Sequence, residues 1–316
     1  MPSIDSMKHV GVVILTRNRK ETVLRCVAGA LALNGLRSKV VVVDNASIDG
    51  SADAVEQAFP SVTVVRNTEN LGAVGGRNTG WRRLCEYQAA AEYVLFLDDD
   101  AIPTPDYLSR LLEAAAADGQ AGILCGKGYT KSPSRMIMSA GLTVNLWTGR
   151  ISDIGVGQQD HGQFDSPGYV DACGAFGMLV RRDVLEALGG FDERFWPYGW
   201  EDVDFCLRAR QRGMHVLYVP QAVLHHEGGK IGRKPVPAYE RSKVRNYLLL
   251  LRLHASLWQK AACVICLPLQ VARLFVRLAA QGHANIVGFH LLGLLDGLAD
   301  LRGKPRSVIR YRDGLH

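Results

Sequence analysis

The chain has 316 residues, 47% of them hydrophobic, with 37 Lys and Arg against 31 Asp and Glu and a formal net charge of +6. That apolar content excludes a globally disordered chain and is enough for one large α/β domain with an appendage, or for two modest domains. Lys and Arg recur from Lys230 to Arg312 while acids cluster at 98–100 and 192–204, and no basic run is interleaved with aromatics as a nucleic-acid platform requires.

Residues 10–15 are a β-branched run that predicts a first strand, and residues 19–33 carry Val23, Val27, Ala30 and Leu31 at helical spacing. Residues 39–43 predict a second strand, Asp49-Gly50-Ser51 opens a helix that Pro60 stops, and residues 62–65 predict a third strand. Residues 77–91 read as a helix with Trp81, Leu84 and Cys85 on one side, and residues 93–97 as a buried fourth strand. This βαβαβαβ order implies a parallel, doubly wound sheet. A helix over 103–117 and a strand over 122–125 follow. From 127 to 170 the periodicity loosens into short antiparallel strands and loops of the kind that carry binding sites. Residues 182–188 predict a short helix ended by Gly189-Gly190, residues 201–212 a helix, and residues 215–219 a strand ended by Pro220. Beyond Gly228-Gly229-Lys230 three Leu-rich helices are expected, over 239–254, 257–280 and 284–301, so a boundary is placed near 230.

Seven Cys, an odd number in mostly apolar surroundings, suggest reduced, buried thiols and a cytosolic setting. Cys263 and Cys266 have CxxC spacing but no second pair. Residues 1–9 lack the apolar stretch of a secretory signal. No uncharged apolar run reaches the roughly 18 residues of a spanning helix.

The chemistry concentrates at a few points. The apolar run 93–97 ends in Asp98-Asp99-Asp100. Three unpaired carboxylates cannot be core. They belong at the carboxyl end of the strand, where open α/β sheets bind ligands, and clustered carboxylates there suit a hard divalent cation that holds phosphates. The structural alternative is an acidic turn before the next helix, with Asp100 or Thr104 as N-cap. Asp44, ending the second strand, can accept hydrogen bonds from a ribose or base. Thr16-Arg17-Asn18-Arg19 ends the first strand with guanidinium groups suited to a diphosphate, or with Thr16 or Asn18 as a helix cap. Residues 70–78 form a Gly-rich loop entering a helix, where glycine permits close backbone approach to a ligand, although neither a phosphate loop nor a dinucleotide fingerprint is present. Trp200-Glu201-Asp202-Val203-Asp204 opens a helix after the aromatic loop 191–200. Helical spacing sets Asp202 roughly opposite Asp204, so the three acids cannot all face one site. A carboxylate beside Trp196, Tyr198 and Trp200 suits a sugar and could deprotonate a hydroxyl. His225-His226 supplies imidazole, a common metal ligand.

The segments VVILTRNR, VVVDNASIDGS, NLGAVGGRNTG, VLFLDDDA, GGFDERFWPYGWEDVDFCLRARQRG and HHEGG, in that order, resemble the family 2 glycosyltransferases over about residues 8–230. Within that family the chain looks most like bacterial rhamnosyl- and galactofuranosyltransferase-type members. The resemblance implies a GT-A fold over 8–230, with a nucleotide-binding α/β sheet and an acceptor-binding half. Residues 231–316 lie outside the match; their Leu faces with Arg at intervals read as a helical C-terminal extension that lies on a membrane surface or joins copies into a homo-oligomer, or as a helical bundle packed on the catalytic domain. The resemblance also implies that Thr16 and Arg17 line the nucleotide pocket, that Asp44 meets the nucleobase, and that Gly76, Asn78 and Asp99 lie on the donor side. Asp98 and Asp100 would form the DxD motif that holds Mg2+ or Mn2+ on the diphosphate, with His225 completing the metal site and His226 its rival. Asp202 would be the general base, with Trp200 and Glu201 toward the acceptor. The expected reaction is inverting transfer of a sugar, rhamnose first, from a dTDP- or UDP-linked donor to a hydroxyl of a cell-surface glycan or lipid-linked acceptor. The expected place is the cytoplasm, on the inner face of the membrane. Two other classes stay open on the residues alone. A metal-dependent nucleotidyltransferase would want a Lys-rich first loop, where residues 16–20 offer mainly Arg and Asn; a non-catalytic nucleotide-sugar-binding assembly protein would dispense with Asp98, Asp100 or Asp202.

Overall fold

Strands that are apolar at every position must be covered on both faces, and here such runs of Val, Ile and Leu build one mixed sheet between layers of helices. The computed structural model describes residues 9–34, 39–88, 90–131, 133–228, 236–280, 282–283 and 286–301. In chain order the first half is β1 Val10–Thr16, α1 Lys20–Leu31, β2 Val40–Asp44, α2 Ser51–Ala58, β3 Thr63–Arg66, α3 Gly72–Tyr87 and β4 Tyr93–Asp98. Next come β5 Ala101–Pro103, α4 Tyr107–Ala117, β6 Ala121–Tyr129, β7 Ile137–Ser139, β8 Leu142–Asn145, β9 Arg150–Asp153, β10 Gly168–Val170 and β11 Gly177–Arg181. The chain continues through α5 Arg182–Leu188, α6 Glu201–Gln211, β12 His215–His226, α7 Pro237–His254, α8 Leu257–Ala280 and α9 Ile286–Leu301.

The large sheet runs β10-β12-β6-β11-β4-β1-β2-β3. The expected parallel order holds for β4, β1, β2 and β3, but the sheet is not parallel throughout, because β11 enters antiparallel between β4 and β6. Strand alternation sends Val12, Ile14, Leu95 and Leu97 to one face, under α1 and α4. Val13, Val94 and Phe96 go to the other face, under α3 and α6. The loosened segment 127–170 does form short antiparallel strands, with β8 and β9 as a separate ribbon.

Among the boundaries that differ from the sequence reading, three bear on the site. The helix expected from Arg77 begins at Gly72, so residues 72–76 are helix rather than loop. Their glycines serve packing: a Cβ on Gly76 would strike Leu15, and one on Gly80 would strike Val13, so α3 lies close on β1. The helix expected from Pro103 begins at Tyr107, and residues 101–103 pair instead with β12. Pro220 does not end the last strand; a register shift between Val219 and Val223 absorbs it, and β12 runs on to His226.

The expected boundary near 230 falls at 229–235, outside the described residues. The next helix is seated on the body before it. Asn246, fully buried on α7, donates to the carbonyls of Phe195 at 2.6 Å and Tyr198 at 3.0 Å. His254 lies 2.8 Å from the buried Asp204, and Tyr247 donates to the carbonyl of Gly149 at 2.7 Å. α9 packs along α7, where Asp296 and Asp300 accept from Arg241 and Arg245.

Candidate active site

The parallel register sets the carboxyl ends of three strands side by side: Thr16 pairs with Asp44, and Leu15 with Asp98. Asp99 and Asp100 form the turn after β4 and are buried, although carboxylates resist burial. They tolerate it because each is bonded. Asp99 accepts from the Thr16 hydroxyl at 2.8 Å and from Arg19 at 3.1 Å, and Asp100 accepts from the same Arg19 Nη1. Burial pushes the Asp99 carboxyl up to about 6 against the pull of Arg19. Burial works on Asp100 in the same sense, but bonds and charge from His226 and Arg19 overcome it and hold this carboxyl well below the usual range.

β12 delivers the histidine. Its end pairs antiparallel with β5, setting His225 opposite Ile102 and His226 opposite Ala101, the neighbour of Asp100. Successive strand residues point to opposite faces, so only one of the pair can reach the carboxylates. It is His226, whose Nε2 is 2.7 Å from Asp100 and 3.8 Å from Asp98. His225, expected in the metal site, turns away to the carbonyl of Thr130 at 3.2 Å. The ring of Phe176 stacks on His226 at 4.9 Å and fixes its plane.

One ligand atom from each of Asp98, Asp100 and His226 lies within 4.8 Å of the others. Two carboxylate oxygens and one imidazole nitrogen are a fitting donor set for Mn2+ or Mg2+.

Arg77 links this edge to α6. Its side chain is buried and donates to Asp98 at 2.7 Å and to Glu201 at 3.0 Å. Glu201, expected toward the acceptor, is therefore turned inward; its other oxygen accepts from the backbone N–H of Gly199 at 2.7 Å. Asp204 is buried too, accepting from Arg208 at 2.8 Å. Of the three acids on α6 only Asp202 is half-exposed, with one oxygen accepting from the Val203 N–H at 2.8 Å and the other near Gly174. Trp200 opens α6 with a left-handed φ of 69° and donates its indole N–H to the carbonyl of Lys243 at 2.9 Å, so its polar edge faces α7 rather than an acceptor. Asn78, expected on the donor side, is buried and holds the 191–193 segment through the carbonyl of Phe191 at 2.8 Å and Glu193 at 3.0 Å. Gly76 lies against Leu15.

Two expected nucleotide residues keep buried polar atoms without a protein partner: Oδ1 of Asp44 and Nε of Arg17. Thr16 and Arg17 are the expected pocket residues of TRNR, but the guanidinium on the carboxylates is that of Arg19. Arg77 lies between the expected donor residues Gly76 and Asn78 and is not among them. The available signal was an Arg on the face of α3 that otherwise carries Val74 and Trp81 into the core.

The sequence profile described as glycosyl transferase family 2 matches residues 11–189, more than half of the chain. The chain belongs to this family. A profile described as the N-terminal domain of galactosyltransferase matches residues 164–228. Among relatives, N-acetylglucosaminyl-diphospho-decaprenol L-rhamnosyltransferase of Mycobacterium tuberculosis is 29% identical over 242 residues, 70% of this chain and 76% of that one. Succinoglycan biosynthesis protein ExoM of Rhizobium meliloti is 26% identical over 90% of this chain and 94% of its own. Among solved structures, GalNAc-T7 with UDP, GalNAc and Mn2+ superposes with a TM-score of 0.62 at 15% identity, over 78% of this chain and 48% of that chain. The mannosyltransferase PcManGT of Pyrobaculum calidifontis, with GDP-Man and Mn2+, superposes with a TM-score of 0.57 at 19% identity, over 92% and 87%. The fold of this family 2 glycosyltransferase is GT-A, and the strand edge carrying Asp98, Asp100 and His226 is its candidate active site.

Proposed function

We propose that this glycosyltransferase moves rhamnose, with inversion, from a dTDP-linked donor to a hydroxyl of a lipid-linked glycan acceptor, with a divalent cation on the donor diphosphate. The convergence of Asp98, Asp100 and His226 within 4.8 Å, beside Thr16 and Asp44, carries this reading. The choice of sugar and acceptor is supported by the mycobacterial relative, whose name gives an L-rhamnosyl transfer to a diphospho-decaprenol-linked sugar.

Asp98, Asp100 and His226 would hold the cation. When bound, it supplies positive charge against the diphosphate and favours its departure. Asp44 and Arg17 have the unpartnered polar atoms to engage the nucleotide, and Arg19 stands where its guanidinium can serve either Asp99 and Asp100 or an incoming phosphate. Asp202 accepts the proton of the acceptor hydroxyl as that oxygen attacks the anomeric carbon on the face opposite the leaving group. Arg77 keeps Asp98 and α6 at a constant separation through its two bonds. With one base and one displacement, no covalent sugar–enzyme intermediate is required.

The test is calorimetric binding and nucleotide release across dTDP-rhamnose, UDP-galactofuranose, UDP-glucose and GDP-mannose, with Mn2+, Mg2+ or chelator. Cation-dependent binding and release of dTDP-rhamnose alone is the expected result. Use of a different donor overturns the sugar, and failure of every donor overturns the donor-binding reading.

A further inference from the structure

We infer that α8 and α9 form a docking surface for an anionic lipid bilayer. On α8, Leu257, Ala261, Val264, Ile265, Ala272 and Val276 are exposed and recur at spacings of mostly three, four and seven, which makes one stripe along the helix. The exposure is large for such side chains: 70% for Val264, 80% for Ile265, 71% for Val276, and 75% for the neighbouring Trp258. On α9, Leu291, Leu295 and Leu298 form a second exposed stripe.

The charge on these helices is arranged around those stripes. α9 contains no Lys or Arg, and its two acids, Asp296 and Asp300, are bonded to Arg241 and Arg245 of α7. Gly293 and Gly297 lie against Arg241 and Leu248, so the α7-facing side is consumed by packing and the outer side is uncharged leucine. On α8, helical periodicity places Lys260 and Arg273 on opposite flanks of the apolar stripe, where long cationic side chains can reach a headgroup layer while the stripe contacts acyl chains. Over α8 and α9 the sequence holds three Lys and Arg against two Asp, and with both Asp spent on Arg241 and Arg245 the uncompensated charge of these two helices is positive. Two copies meeting through this face would bring like charges together, whereas an anionic lipid surface complements them.

The bend of α8 and the charge within it argue for lying on the bilayer. Among the described residues no single helix is long and apolar enough to cross a membrane; Leu257–Cys266 and Val271–Ala280 of α8 reach that length and apolarity only together, across a 41° break. Each half is about 15 Å long, against a hydrocarbon core of about 30 Å, and Arg273 and Arg277 fall within the second half.

The experiment is co-sedimentation of the full chain with vesicles of phosphatidylcholine alone or with added phosphatidylglycerol, at low and high salt. It compares wild type with Ile265→Asp/Val276→Asp and with Leu291→Ser/Leu295→Ser. Circular dichroism and nucleotide binding serve as folding controls, and light scattering reports the oligomeric state. The expected result is binding at least about tenfold tighter to the anionic vesicles, weakened by salt, and lost by about tenfold or more in each variant while fold and nucleotide binding persist. The inference is overturned by absent vesicle binding, by variants that bind as wild type does, or by equal, salt-insensitive retention on both vesicle types, which would mean a crossing segment. It is equally overturned by a solution dimer that the same substitutions dissociate without any vesicle binding. Nucleotide binding is read separately, so failure here leaves the donor chemistry to stand or fall by its own test.

Discussion

The molecule carries two clusters of three nearby carboxylates, and they behave in opposite ways. Asp98, Asp99 and Asp100 sit where a strand breaks into a turn, and all three gather around one small volume with Arg19, Arg77 and His226. Glu201, Asp202 and Asp204 sit in the first turn of α6, where each residue is rotated about 100° from the last. They scatter accordingly: Glu201 to Arg77, Asp204 to Arg208 and His254, and Asp202 alone to the half-exposed side. A strand end concentrates charge and so invites a cation. A helix turn separates charge, leaving one acid on the half-exposed side while its neighbours hold the frame together.

The sharpest way to break this contrast is at the strand end. Asp100→Ala should lower kcat/KM by about a thousand-fold and abolish Mn2+-dependent nucleoside diphosphate binding. Turnover kinetics with calorimetry check this, and retained Mn2+ dependence would remove Asp100 from the site. On the helix, Asp202→Asn should lower kcat by about 10²–10⁴-fold while diphosphate affinity stays put, the signature of a base acting in the chemical step. Arg77→Met should cost about 3–5 kcal/mol in chemical denaturation, because it strands buried Glu201, and Glu201→Leu in the same chain should recover much of that loss. His226→Ala should weaken Mn2+ binding by about 10–100-fold with His225→Ala near wild type, and the reverse ranking would return His225 to the metal site.

The smallest effect concerns a carboxylate outside both clusters. Burial opposes the charge of Asp160, but the Tyr129 hydroxyl, the Gly162 N–H and Lys127 together hold its carboxyl well below the usual range. A depressed folded-state pKa means that this stabilisation is complete above the unfolded value of about 3.9 and disappears as pH falls through the folded value. Asp160→Asn should therefore flatten the acid limb of the stability curve, as denaturation at several pH values would reveal.

Much of this was legible in the sequence because it depends on local order. The apolar runs, the amphipathic helices and the DDD turn are contiguous, and contiguity decides that they are strands, helices and a strand-end acid cluster. The resemblance in motif order pointed to the family that the profile match over 11–189 establishes. Residues 72–76 differ from the expected loop for a physical reason: glycines that admit a ligand and glycines that admit a neighbouring strand look alike until Leu15 is found beneath Gly76.

The sequence by itself determined the strand–helix alternation, the three Asp at a strand end and the acidic first turn of α6, since each is set by residues within a few positions of one another. Only the tertiary structure decided which histidine meets Asp98 and Asp100, because that follows from the register of β12 on β5, two segments more than a hundred residues apart. It also decided that β11 enters antiparallel, that Arg77 joins β4 to α6, and that Glu201 turns inward to Arg77. These are pairings across the sheet and between layers, where partners are chosen by packing and by the cost of leaving a buried charge alone.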